Sequence, residues 1–232
     1  MGSGSHSHVK PDAGASQKGV SGVSVGDDHA GIRAGGRVES MANQLGFYII
    51  AGRCVECHAC EVACKELNNV ALGIRWRKVR NHWDGQFPNP TNISMSSACM
   101  HCEKPACLEV CPTHAITKRA EDGIVVVNQS ECIGCRACGS ACPYGVPQYG
   151  HDSKMQKCNL CLERLEKGKE PVCVSTCPGE ALGFGPVDEF AKSAAGKLAI
   201  RLEGSTGPAF FVVGSAIGPN PEVYIDTFFR KS

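Results

Sequence analysis

Sixteen cysteines stand in four groups of four: Cys54, Cys57, Cys60, Cys64; Cys99, Cys102, Cys107, Cys111; Cys132, Cys135, Cys138, Cys142; and Cys158, Cys161, Cys173, Cys177. Every group closes with a C-x₃-C step, and three closing cysteines precede a proline (Pro112, Pro143, Pro178). Thiolates are soft ligands, and the run C-x₂-C-x₂-C-x₃-C-P is the bacterial pattern for cubane [4Fe–4S] clusters. Sixteen thiolates satisfy four such clusters at four ligands each. The chemistry expected is transfer of single electrons.

Cysteines three residues apart on an irregular loop turn their sulfurs around one core, and the N–H groups of that loop point at it. In such runs the fourth cysteine rides the following helix and ligates the neighbouring cluster. This crossing predicts four ligand sets. The first is Cys54, Cys57, Cys60 and Cys177; the second is Cys64, Cys158, Cys161 and Cys173. The third is Cys99, Cys102, Cys107 and Cys142, and the fourth is Cys111, Cys132, Cys135 and Cys138. A sequential pairing of the groups, first with second and third with fourth, is the competing arrangement. Against it stands the gap 65–98, where no hairpin pattern is visible.

Other cysteine chemistries fit less well. Zinc ribbons use C-x₂-C pairs at longer separation, not triads. A disulfide scaffold needs an export route and does not space its cysteines so evenly. Cys54-Val-Glu-Cys57-His58 matches the haem attachment string C-x-x-C-H, but both cysteines already belong to the first triad. His101 and His114, beside ligand cysteines, read either as donors to a cluster sulfur or as ordinary structural histidines.

The elements that must carry these sulfurs are short. Leu45 to Ile50 reads as a strand, Glu61 to Leu67 as a helix carrying Cys64, and Leu160 to Lys167 as a helix. Ala115 to Lys118 and Ile124 to Val127 form a hairpin around Asp122-Gly123, and Ala181 to Phe184 is a last strand. Residues 68–98 read as a looped insertion holding Trp76, His82 and Trp83, with Pro88 and Pro90 arguing against strands. The spacing of the first group recurs 78 residues on, Cys54 against Cys132. That repeat predicts an α+β fold of two bacterial-ferredoxin-like lobes related by a pseudo-two-fold duplication. One lobe spans 45–98 plus 151–189, with its strands Leu45–Ile50 and Ala181–Phe184 meeting in one sheet. The other spans 99–150. Residues 1–44, rich in Gly, Ser and Ala, read as a flexible tail whose Gly-Ser-His opening resembles an appended leader, Met41 being a second candidate start. Residues 190–232 form a C-terminal extension of mixed pattern.

Composition sets the remaining bounds. Apolar residues make up 42% of the 232, but that figure includes the 16 cysteines, so the hydrocarbon core is thin and ligand binding must staple the fold. The formal net charge of +1 counts each cysteine as neutral; with four thiolates each, oxidised clusters carry about −2 apiece. Arg53, Lys104, Arg136 and Lys157 then read as partial counter-charges. No basic face of the nucleic-acid-binding kind stands out. No signal peptide is visible, and the longest apolar run, Pro208 to Ile217, falls far short of about 18 residues, so no direct membrane span is expected.

From Gly46 to about Glu189 the chain resembles the iron–sulfur subunit of the dimethyl sulfoxide reductase family of molybdenum enzymes. The resemblance is carried by C-E-V-A-C-K (Cys60–Lys65), H-C-E-K-P-A-C (His101–Cys107), C-P-T-H-A-I (Cys111–Ile116), C-I-G-C-R-A-C (Cys132–Cys138), A-C-P-Y-G-V-P-Q-Y (Ala141–Tyr149) and L-G-F-G-P-V-D-E (Leu182–Glu189). It implies a non-catalytic electron-transfer subunit with four [4Fe–4S] clusters. Its implied partners are a molybdopterin catalytic subunit and a quinone-linked membrane anchor. The set containing Cys54 would face the catalytic subunit, and the set containing Cys111 the quinone side. Some relatives carry Trp at the second cysteine of the third group and hold a [3Fe–4S] cluster there; Cys135 in this chain implies a cubane. Localisation would be at a membrane through a partner, on its cytoplasmic or periplasmic face. A polyferredoxin-like subunit of a hydrogenase or tungsten formate dehydrogenase is the alternative complex. A metal-stapled interaction module is the non-redox alternative.

Overall fold

Strand β1 (Leu45–Ile50) carries apolar side chains on both faces, which suits a strand covered on two sides. Phe47 and Ile49 point into the main core, while Tyr48 and Ile50 pack into a second cluster with Val187, Phe190, Phe211 and Val213. The computed structural model describes residues 44–193, 196, 199–202, 205–214 and 228. The tail reading of residues 1–44 falls, but for Gln44, outside the described residues, as do most of residues 215–232.

In chain order β1 is followed by helix α1 (Ala59–Leu67), strands β2 (Lys78–Asp84) and β3 (Thr91–Ser97), α2 (Ala106–Glu109), β4 (Ile116–Lys118) and β5 (Val125–Val127). Then come α3 (Ala137–Ala141), β6 (Gln148–Tyr149), β7 (Met155–Gln156), α4 (Leu162–Leu165), α5 (Val172–Ser175), β8 (Leu182–Pro186), α6 (Val187–Lys192), β9 (Ala199–Arg201) and β10 (Phe210–Val213). The main sheet has the order β8-β1-β10-β9. β8 pairs antiparallel with β1, Phe47 opposite Phe184, as expected for those two segments. β10 lies parallel to β1 on its other side, Ile49 opposite Val212, and β9 runs antiparallel to β10. The segment set apart as an extension thus supplies two of the four strands in this sheet.

β4 and β5 form the expected hairpin, Thr117 opposite Val126. The insertion 68–98 departs from expectation. It is not a loop but a second hairpin, β2 with β3, running from Lys78 opposite Ser97 to Asp84 opposite Thr91. Pro88 and Pro90 lie in its tip, between the strands, so they remove no ladder hydrogen bond. Only its base is buried (Val79, Ser94, Met95, Ser96, Ser97), which explains why its sequence shows no clean alternation.

The helices are short. Among the described residues, apart from α1, with nine residues, and α6, with six, none exceeds five. Single turns do not form on propensity alone, because nucleation is unfavourable. What the described residues place around these turns is sulfur.

Candidate metal centres

Helix α1 holds Cys60 and Cys64 one turn apart on its buried face. Adjacent ligands on one helix can therefore serve two neighbouring centres. Cys54, Cys57, Cys60 and Cys177 line one hollow of about 330 Å³, counting the space open to solvent, together with Ser96 and Ala181. Cys111, Cys132, Cys135 and Cys138 line another of the same size, with Ile133, Tyr149 and Met155. Between them, burial pushes the Cys64 thiol far above its usual range, reinforced by Cys158, Cys173 and Cys161 around it. Burial also raises Cys102 to about 11 and Cys107 to about 12, and both lie in the field of Cys99 and Cys142. Two of the expected quartets, those of Cys54 and Cys111, thus each line one hollow, while Cys64 lies in the field of Cys158, Cys173 and Cys161. The gap 65–98 does contain a hairpin, so it no longer tells against sequential pairing.

The quartets follow one another. Cys173 of the second feels Cys60 of the first, and Cys158 of the second feels Cys99 of the third. Cys107 of the third packs in one cluster with Cys111, Cys132 and Cys138 of the fourth. All four cysteines of the second quartet are buried, whereas Cys57 at one end and Cys135 at the other are exposed. Exposed apolar residues flank those two ends, Val55 and Ile133, 69% and 67% exposed.

The loops share an unusual backbone. Glu56 and His58 in the first run have φ of 56° and 58°, and Gly134 and Arg136, at equivalent places in the third, have 70° and 65°. His101 and Leu160, each just before the second cysteine of its group, have φ of 42° and 58°. His114 and Glu180, three residues after a closing cysteine, have 53° and 48°. Such left-handed positions are unfavourable for residues with a Cβ. Here they curl backbone N–H groups toward sulfur: Ala181 N–H donates to Cys177 Sγ at 3.3 Å, Leu160 N–H to Cys158 Sγ at 3.4 Å, and Met155 N–H to Cys132 Sγ at 3.4 Å. Ser96 Oγ lies 3.3 Å from Cys60 Sγ, and Tyr149 Oη 3.5 Å from Cys138 Sγ. Cys111 differs from the rest. Its slight burial raises it, but the backbone of Ile116, Thr113 and Ala115 and the Thr113 hydroxyl outweigh that and lower it.

Buried neutral thiols must lose their protons to bind a metal, so the incoming group has to be strongly cationic. Among the described residues no three His, Cys, Asp or Glu side chains converge on one point, as a single zinc ion requires. Quartets spread around a hollow and ringed by N–H and O–H donors fit an iron–sulfur core instead. His58 pairs with Glu61 at 3.4 Å, and His114 is exposed. Of the proposed counter-charges only Lys157 is buried, its Nζ donating to the carbonyls of Val125 and Cys158. Arg77 escaped the sequence reading, and so did the burial of His101. Arg77 is fully buried beside the first two quartets, and nothing in R-W-R-K-V-R (Arg75–Arg80) distinguishes it from Arg75, which is exposed, or from Lys78 and Arg80, which are half-buried. His101 is fully buried too, and its Nδ1 accepts the Val125 N–H at 3.0 Å.

A family model described as "4Fe-4S dicluster domain" matches residues 91–187, which hold the last three cysteine groups. A component of the anaerobic dimethyl sulfoxide reductase of Escherichia coli (strain K12) is 43% identical over 161 residues, covering 66% of this chain and 78% of the relative. The chain belongs to the iron–sulfur subunits of the dimethyl sulfoxide reductase family. A component of the sulfite dehydrogenase of Allochromatium vinosum is 37% identical over 168 residues, covering 63% of this chain and 70% of that one. The thiosulfate reductase electron transfer subunit PhsB of Salmonella typhi is 45% identical over 144 residues, covering 59% and 73%. As an iron–sulfur subunit of this family the chain is an electron-transfer component rather than a catalytic one, and [4Fe–4S] clusters are its cofactors.

Proposed function

We propose that this iron–sulfur subunit is a four-cluster relay, carrying single electrons between a molybdopterin catalytic subunit and a quinone-linked membrane anchor or other redox partner. The observation that carries this reading is the succession of four cysteine quartets, the second of them wholly buried, with exposed thiols at Cys57 in the first and Cys135 in the fourth. When bound, each cluster takes up and gives back one electron. The protein supplies four thiolates per cluster, N–H and O–H donors to sulfur, and a dry interior that sets potential through burial and hydrogen bonding.

The recurrence of left-handed φ at matched positions supports an origin by duplication, with lobes at 45–98 plus 151–189 and at 99–150. By family analogy the Cys54 end docks on the catalytic subunit and the Cys111 end on the quinone side. The relatives' names refer to different substrates (dimethyl sulfoxide, sulfite, thiosulfate), which fits a subunit that leaves substrate chemistry to its partner. Among the described residues no helix is long and apolar enough to cross a membrane, so membrane association is assigned to a partner.

The ligand sets are tested by paired substitutions in the holo complex, read by electron paramagnetic resonance during reductive titration. Cys177→Ser and Cys54→Ser should alter the same one of four cluster signals. Loss of the signal shared by Cys158, Cys161 and Cys173 on Cys177→Ser would overturn the crossed assignment.

A further inference from the structure

Arg77 lies just before β2 and is 1% exposed. Its guanidinium sits over the Phe47 ring, with Cζ 4.5 Å from the ring centroid. Nη1 donates to Ser96 Oγ at 3.2 Å, and that same hydroxyl lies 3.3 Å from Cys60 Sγ. Nε and Nη2 are buried and have no partner among the described residues. A guanidinium carries five N–H donors and does not give up its charge, so orphaned nitrogens in a dry interior call for acceptors. The groups around it are sulfurs of two quartets: Cys60 from the first, and Cys64, Cys158 and Cys173 from the second. Burial alone would weaken its hold on the proton, but those four cysteines outweigh burial.

We propose that the Arg77 guanidinium is the fixed positive charge shared by the clusters of the first two quartets, donating to their sulfurs and raising both reduction potentials. This rests on the four-cluster reading above. A cluster with four thiolate ligands goes from about −2 to about −3 on reduction. A permanent cation in a low-dielectric interior favours the more negative state of each cluster it faces. Its strongest electrostatic neighbours all belong to the first and second quartets, so the potentials of the third and fourth should depend on it less. Ser96 extends the arrangement, coupling the cation to Cys60 through one hydroxyl. The hairpin β2–β3 positions both residues, which gives this insertion a role in tuning the relay as well as in covering it.

The test compares Arg77→Gln with Arg77→Lys in the anaerobically prepared holo complex. Iron and acid-labile sulfide are counted first, and then the clusters are titrated potentiometrically by electron paramagnetic resonance. With Gln, two of the four clusters should become harder to reduce by at least about tenfold in the equilibrium, equivalent to about 59 mV for one electron. The other two should shift less. Lys keeps the charge and should hold both potentials within about threefold of the parent equilibrium, about half that shift on the same scale. A fully loaded Gln variant with all four potentials unmoved overturns the proposal, as does a Lys variant displaced as far as Gln. Should the Gln variant fail to load its clusters, Lys decides: loading with near-parent potentials supports the proposal, and failure to load, or a shift, overturns it. A parent protein well below about sixteen irons per chain would instead sink the four-cluster reading on which this one rests.

Discussion

A thiol buried in an apolar loop keeps its proton, and most of the buried cysteines here are pushed upward for that reason. The same burial that resists ionisation strengthens each thiolate–metal bond once a cationic core has displaced the proton. At this scale the sixteen candidate ligands were legible in the sequence from their spacing, but of the closing cysteines expected on helices only Cys64 lies within one, Cys111, Cys142 and Cys177 falling just past a helix end. Arg77 and the burial of His101 were not legible, because burial of a polar side chain depends on contacts far away in sequence. His101 shows the point. Its Nδ1 accepts a hydrogen bond from Val125, 24 positions on, and its backbone carbonyl accepts one from Gln44 Nε2 at 3.0 Å. Burial pulls its pKa well below the usual histidine value, with Lys157, Lys118 and Arg77 adding to the effect, so the ring is neutral with its proton on Nε2. Through Nδ1 it ties the Cys102 loop to the β4–β5 hairpin, while Nε2 is buried with no partner among the described residues, so this geometry accommodates both readings of His101. His101→Leu should strand the Val125 N–H and destabilise the holo protein by about 1–3 kcal/mol. Anaerobic guanidinium unfolding measures this, and an unchanged midpoint would contradict it.

Among the elements, strands with apolar residues at both faces or clear turn chemistry were readable: β1, β8 and the β4–β5 hairpin appear where their patterns put them. The β2–β3 hairpin escaped because most of its length is exposed and its strands are largely polar. Helices of one turn leave no periodicity to read; their positions follow from the cysteines they carry. The β1–β8 contact depends on a small residue. Gly183 pairs with Tyr48, and a Cβ placed there would lie 2.0 Å from the Tyr48 ring, which stacks on Phe190 at 4.4 Å. Gly183→Ala should force that ring off Phe190 and cost about 1–3 kcal/mol. The expected result is a lower holo melting temperature with cluster content unchanged; a melting temperature equal to the parent's would mean the sheet yields without strain.

For the whole molecule, the cysteine quartets replace much of what a hydrocarbon core does elsewhere. They lie in the same clusters as Phe47, Ile49, Met100 and Leu160, so metal binding and packing stabilise one body. Removing the metal should then remove most of the fold. Anaerobic iron chelation is expected to abolish cooperative unfolding followed by far-UV circular dichroism; an apo protein that still melts sharply would show the hydrocarbon contacts to be sufficient. The family was readable from motifs at this scale, whereas the part played by β9 and β10 in the main sheet was not, since a parallel pairing between residues 47 and 210 leaves no local sign.

What the four quartets hold decides whether this subunit is a relay. Iron and acid-labile sulfide should be counted in anaerobically purified holo protein, then the protein titrated with reductant. The predicted result is about sixteen of each per chain and four one-electron steps visible by electron paramagnetic resonance. Iron and sulfide near zero, with zinc or another single ion in their place and no reducible signal, would contradict it.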